Sequence, residues 1–310
     1  MKILFFFLLP FCFLPAFSFA FDPPSAFDRS EALGPLDNEP AILRRLFTPD
    51  VDFAPIRVPE IGDWLSLHDE PGQPYGAYVS SGFNRPNSAR KIIYLLPLGN
   101  FPQGKSPPLE DLRAYAEAFF QLSVKILPAA AIDERKFKPR TNENTRQLQL
   151  HTLSILQHLK TQLPSDAYCL LGITMEDLYV FGQASLAERV GIYSFARYDP
   201  AFFSQDRSVD YRQIILKRSC KVLAHETAHM FGLHHCIYFD CLMNGANNLA
   251  ESDSHPQHLC PVCLRKLHYN VQFNPVTRYE ELNKFYKTHD WDDETLWTER
   301  QLKKIKPDHP

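Results

Sequence analysis

The stretch HETAHMFGLHH, from His225 to His235, limits what this chain can fold into more than any other part of it. Its spacing is HExxHxxGxxH, which asks for a helix through His225, Glu226 and His229 that ends at Gly232. Imidazoles four residues apart project from nearly the same helical face, one turn apart, where both can bind one cation. Glu226 sits about 100° round the helix from His225, away from the ligand position but able to face a water on the cation's open side. Gly232 supplies the backbone freedom for a left-handed cap, so that the chain turns back and His235 arrives as the third ligand. Three neutral imidazoles leave the fourth position of a zinc ion to water, whose pKa falls from about 15.7 to about 7. With Glu226 as general base, taking the water's proton and passing it to a leaving amine, the expected chemistry is hydrolysis of peptide bonds.

His234 is the neighbour that competes with His235, and the spacing favours His235. A lone histidine is ordinarily a satisfied surface or core residue, which is the reading for His68, His151, His158, His268, His289 and His309. His255 and His258 are read as surface-loop histidines. Met243, eight residues past His235, is expected to form a hydrophobic floor beneath the metal, the Met-turn that follows extended motifs of this kind.

Cys236 adjoins the third histidine, Cys241 follows it, and Cys260 and Cys263 form a CPVC pair. Two paired thiol groups across a short loop suit a tetrahedral structural zinc closed by four thiolates, with no position left for water. Two disulfides are the alternative, since the chain carries an export signature. Cys169 and Cys220 are read as buried small hydrophobes.

That signature is Lys2, an apolar run through residue 17, and Ser18-Phe19-Ala20. Residues 1–20 read as a signal peptide, so the mature protein is expected to be secreted or periplasmic; a retained membrane anchor is the minor alternative. The run is short for a span and contains Pro10 and Pro15, so no stable membrane insertion is expected after its removal. With 310 residues, 45% of them hydrophobic, the remainder can bury a full core. A formal net charge of −3 gives no general pull toward nucleic acid.

Residues 21–88 are rich in Pro, Asp and Ser, with one short helical candidate at 41–47. They read as an irregular wrapping segment or a removable pro-segment. Cysteine-switch latency is excluded, because no cysteine precedes Cys169 once Cys12 leaves with the signal. Residues 91–98 (KIIYLLPL) and 167–174 (AYCLLGIT) read as buried strands, and 124–132 as another. Ser106, with Pro107 behind it, is expected to cap a helix bearing Leu109, Leu112 and Phe119; a second helical face runs from Leu148 to Leu159. Residues 183–189 read as a polar loop before a candidate edge strand at 190–197. Ser208 or Asp210 should cap the long helix over 211–231. Residues 274–310 are expected to be a docked helical extension, since Trp291 and Trp297 would be costly to expose.

HETAHMFGLHHC, then Cys241, Met243 and CPVCLRKL at 260–267, resembles the archaemetzincins. A looser similarity reaches back through ITMEDLY at 173–179. The resemblance implies an α+β, metzincin-like zincin fold: a twisted mixed β-sheet, a long active-site helix and a small C-terminal subdomain stabilised by zinc. The catalytic domain would span residues 89–273. The resemblance further implies two zinc ions per chain, a catalytic one on His225, His229 and His235 and a structural one on Cys236, Cys241, Cys260 and Cys263. It also implies that the edge strand at 190–197 pairs with an extended peptide above the metal. The expected partner is thus a peptide or protein substrate, trimmed from its amino terminus or cut internally. A non-hydrolytic metal-binding protein on the same scaffold is the alternative.

Overall fold

The two apolar runs at 91–98 and 167–174 become the central strands of the sheet, where β-branched and aliphatic residues can be buried on both faces. The computed structural model describes residues 21–143, 146–179, 182–185 and 187–306, so the leader expected at 1–20 lies outside the described residues. In chain order the strands are β1 (Ile92–Leu98), β2 (Val124–Ile126), β3 (Arg140–Thr141), β4 (Leu148–Leu150), β5 (Ala167–Thr174), β6 (Asp177–Leu178), β7 (Gly182–Ser185) and β8 (Val190–Ser194). Five form a mixed sheet in the order β2-β1-β5-β8-β7, parallel except for β7, which runs antiparallel to β8. Ile93 lies opposite Cys169, and Val190 lies between Leu170 and Ser185. A small second sheet has the order β3-β4-β6.

The helices are α1 (Ala26–Leu33), α2 (Ala41–Phe47), α3 (Trp64–Leu67), α4 (Tyr75–Ser80), α5 (Leu109–Phe120), α6 (Glu134–Phe137) and α7 (Thr152–Gln162). Beyond the sheet follow α8 (Tyr211–Met230), α9 (Leu249–Ser254), α10 (Pro261–Val271), α11 (Pro275–Thr288) and α12 (Asp292–Ile305). Side chains alternate across a strand, so β1 and β5 serve two cores. Ile93, Leu95, Cys169 and Leu171 join Tyr115 of α5 and Leu223 of α8, whereas Tyr94, Leu96 and Leu170 join Ile155 and Leu159 of α7. Cys169 and Cys220 are fully buried, as expected of small hydrophobes. No helix among the described residues is long and apolar enough to cross a membrane.

Several expectations need correcting. Residues 190–197 are not an edge, because β8 is paired on both sides; the edge on that side of the sheet is β7, which overlaps the stretch 183–189 expected to be a polar loop. Its sequence, GQAS, has no apolar alternation because all four residues are only half-buried. The strand expected over 124–132 ends at Ile126, with Pro128 breaking the ladder, and contact resumes only at the bridge between Leu98 and Ala130. Helix α5 begins at Leu109 with Pro108 as its N-cap, while the Ser106 hydroxyl donates to the Pro102 carbonyl. Asp210 is the N-cap of α8 but makes no side-chain capping bond.

Residues 21–88, expected to wrap irregularly, carry four of these helices and enter the core. Leu46, Phe47 and Tyr78 are essentially inaccessible. The C-terminal segment is two helices rather than one, folded back at Asp290, which has φ 54°. Buried Arg278 anchors them: its Nε donates to the Phe119 carbonyl at 2.7 Å, and its guanidinium lies 4.6 Å from the Phe119 ring centre. At the other end Arg45 of α2 donates to the Ile305 carbonyl at 3.0 Å. The N-terminal segment and the two C-terminal helices thus pack against the same body.

Tyr78 carries the N-terminal segment's deepest polar contact. Its hydroxyl donates to the Phe231 carbonyl at 2.8 Å and accepts from Asn270 Nδ2 at 2.9 Å. Tyr78→Phe keeps the ring and removes the donor, so it should cost about 1 kcal/mol. A thermal melt should show a Tm lower by about 2–4 °C; an unchanged melt would mean that the segment does not hold the end of α8.

Candidate metal centres

Helix α8 ends where the motif requires. Gly232 has φ +85°, and a Cβ there would lie 2.6 Å from the Phe83 Cβ, so only glycine fits. The Gly232 N–H bonds the His229 carbonyl at 2.8 Å and the Leu233 N–H bonds the Ala228 carbonyl at 3.2 Å, the paired bonds of a Schellman cap. The helix carbonyls left over are taken by side chains: Met230 by Tyr168, Phe231 by Tyr78, and the adjoining Gly232 by Gln73. The chain then reverses and carries His235 back over His225 and His229.

The three imidazoles meet with their ligand atoms all within 4.8 Å of one another. Each has its Nδ1 occupied. His225 Nδ1 bonds the Leu242 carbonyl at 2.8 Å, His229 Nδ1 the Leu233 carbonyl at 2.6 Å, and His235 Nδ1 the Glu70 carboxylate at 2.8 Å. An acceptor at Nδ1 puts the proton there and leaves the Nε2 lone pair free. The Nε2 atoms of His225 and His229 are 3.1 Å apart, close to the roughly 3.3 Å edge of a tetrahedron with Zn–N bonds of about 2.0–2.1 Å. Burial, followed by the neighbouring imidazoles, holds the His225 pKa well below its usual value; burial and then His235 lower that of His229 to about 3. Both are therefore neutral at pH 7, the form that binds a metal. His234 is exposed and takes no part in the cluster.

Glu226 lies beside this cluster, and among the described residues its carboxylate has no hydrogen-bond or ion-pair partner. Burial raises its pKa to about 7, against a smaller pull downward from His235. Edge strand β7 passes directly over it: a Cβ built on Gly182 would lie 3.3 Å from Glu226 Oε1. A cavity of about 100 Å³ opens against His225 and Glu226, lined among others by Tyr198, Lys221, Leu242 and Leu249. Met243 is fully buried, and its carbonyl accepts the Cys236 N–H at 2.8 Å, tying the turn to the residue after His235.

The four cysteines form a second group, buried and with sulfur atoms within 4.8 Å of one another. All are free thiols. Cys236 and Cys260 Sγ are 3.6 Å apart, near the roughly 3.8 Å edge of a tetrahedron with Zn–S bonds of about 2.3 Å. Backbone N–H groups of Met243 and Cys260 point at Cys241 Sγ, at 3.4 and 3.2 Å, as outer-shell donors to a thiolate do. Asn244 holds the loop closed, accepting from Cys241 N and donating to the Cys236 and Phe239 carbonyls. The donor sets of both groups fit zinc.

Neither His255 nor His258 joins a cluster, but both are less exposed than surface-loop residues. His255 Nδ1 pairs with Asp240, and the His258 ring stacks on Trp297 at 3.9 Å. Sequence reasoning missed Glu70, Trp64 and Gln73, which close the site from the N-terminal segment. Glu70 meets its partner 165 positions away, and no local pattern signals such a contact. Its carboxyl is held below the usual range, first by the bond to His235, partly opposed by burial, and then by Trp64 Nε1.

Residues 140–269 match the model of Peptidase family M54. Archaemetzincin-2 of Rattus norvegicus is 40% identical over 282 residues, covering 80% of this chain and 79% of that protein. Archaemetzincin-1 of Mus musculus is 34% identical over 296 residues, covering 84% of this chain and 57% of that protein. The crystal structure of archaemetzincin from Methanopyrus kandleri covers 61% of this chain and 99% of its own, at 26% identity and a TM-score of 0.47. The chain belongs to the archaemetzincins, peptidase family M54, and is a zinc metallopeptidase of that family.

Proposed function

We propose that His225, His229 and His235 hold the catalytic zinc, that Glu226 is the general base, and that Cys236, Cys241, Cys260 and Cys263 hold a second, structural zinc. The observation that carries this reading is the convergence of three imidazoles, each with Nδ1 tied to an acceptor, beside a carboxylate that has no partner among the described residues. When bound, zinc lowers the pKa of a water toward 7 and polarises the scissile carbonyl. Glu226 takes the proton of the attacking water and passes it to the leaving amine. Met243 packs beneath the histidines.

The substrate is an extended peptide that adds antiparallel to the free side of β7, so that backbone bonds hold it across Glu226. The cavity against His225 and Glu226 receives one of its side chains. β7 is the last strand on its side of the sheet among the described residues, so the scissile bond would lie between the β7 edge and the three histidines.

Glu226→Gln should reduce hydrolysis of a mixed peptide library, read by mass spectrometry, by about 10²–10⁴-fold while the zinc content stays that of the wild type. Identical product sets from the two proteins would sink the hydrolytic role of this residue.

Metal analysis tests the ligand sets. The purified chain should carry two zinc ions; His235→Ala should lose one and His234→Ala none. Cys260→Ser should also lose one, with a loss of stability of several kcal/mol, since a structural site contributes on the order of 10 kcal/mol. A zinc content that is the same in Cys260→Ser as in the wild type would remove the structural site.

Export is part of the proposal and rests on residues 1–20. The secreted or periplasmic protein should begin at Phe21 on N-terminal sequencing; a cell-retained chain beginning at Met1 would refute it.

A further inference from the structure

The three imidazoles are not held in the same way. His225 and His229 ride on α8, and the carbonyls behind them belong to Leu242 and to Leu233, four residues past His229. His235 lies beyond the helix cap, where no helical geometry fixes its ring. Its Nδ1 partner is the carboxylate of Glu70, and the two side chains are 20% and 21% exposed. Glu70 lies outside residues 140–269, the part of the chain that the family model matches.

Glu70 is itself held from both sides. Trp64 Nε1 donates to the same Oε1 at 2.9 Å, and the Trp64 ring meets the His235 ring edge to face at 5.0 Å. His68 stacks on the outer face of Trp64 at 3.7 Å. The Trp64 N–H is anchored by Glu251, and a Cβ on Gly245 would strike the indole at 2.4 Å, so the indole lies against the backbone just past Met243. On the far side Gln73 donates to the Gly232 carbonyl and accepts from the His234 N–H and Lys266. Between these anchors the carboxylate has little freedom to swing away from the imidazole.

We propose that Glu70 is a positioning residue for the third metal ligand, and that residues 64–73 are a built-in wall of the catalytic centre. A carboxylate on Nδ1–H fixes the ring and its tautomer and makes the opposite nitrogen a stronger donor, an effect of about 10–100-fold on metal affinity where it has been removed. Backbone carbonyls do the first two jobs for His225 and His229, but only His235 has an anion behind it. The segment therefore belongs to the working enzyme and is not a removable pro-segment. This inference rests on the zinc reading given above.

The test uses the full mature chain loaded with zinc, and with Co²⁺ in parallel, and compares wild type with Glu70→Gln and Glu70→Ala. Competition with a chromophoric chelator should show the histidine site weakened by about 10-fold in the amide variant and about 100-fold in the alanine variant. The ligand-field bands of Co²⁺ at the histidine site should shift, while the thiolate charge-transfer bands of the cysteine site stay constant and report that the chain is folded. Unchanged affinity and unchanged bands in Glu70→Ala, with the cysteine site intact, overturn the inference and leave the peptidase reading standing. If the wild type itself binds no metal at the histidines, both fall. Should Glu70→Ala not fold, Trp64→Phe decides: it keeps an aromatic ring but removes one hydrogen bond to Glu70, so the same weakening, smaller in size, is expected, and none overturns the inference.

Discussion

An imidazole can offer a lone pair to a metal from one nitrogen only if the other carries the proton, and a proton stays where an acceptor holds it. The structure is arranged around three such acceptors: Leu242 behind His225, Leu233 behind His229 and Glu70 behind His235. Each comes from a different part of the chain. Leu242 belongs to the turn before Met243, Leu233 to the cap of α8, and Glu70 to the N-terminal segment. Fixing the three tautomers therefore requires three separate pieces of the chain to be in register.

The cysteine group supplies much of that register. Cys236 is one residue past His235, its N–H is bonded to the Met243 carbonyl, and Cys241 lies next to Leu242, whose carbonyl receives the proton of His225. The group thus grips the chain beside both a ligand and a ligand's acceptor. Cys260 and Cys263 open α10, which carries Arg265, Lys266 and Asn270 against the N-terminal segment. A metal in the cysteine group would stiffen the three histidines from behind.

The parts legible in the sequence are those whose partners lie close along the chain. The helix through His225 and His229, its end at Gly232 and the gathering of four cysteines all follow from spacings of fewer than thirty residues, and the central strands follow from apolar runs that only a doubly covered sheet can bury. Two features were illegible for physical reasons. The Glu70–His235 contact spans 165 positions and leaves no periodicity. The N-terminal segment looks irregular because its helices are too short to show an amphipathic repeat, and it is held by single side chains such as Tyr78 and Gln73 reaching the exposed carbonyls at the end of α8.

The edge strand was misplaced for a reason that also explains its sequence. A strand that runs over Glu226 has little room for a side chain at the crossing: a Cβ on Gly182 would lie 3.1 Å from the Tyr193 ring and 3.3 Å from Glu226 Oε1, a tight fit to both. Nor can its outer edge be covered, if its free N–H and C=O groups are to meet a peptide. Both demands remove bulky apolar residues, the very signal by which strands are recognised, and leave GQAS, which reads as a loop. The apolar content that marks a strand was instead in β8, one position further in, where both edges are already paired. In this fold, weak strand character at β7 follows from its place beside Glu226, and strong strand character at β8 from being the support behind it.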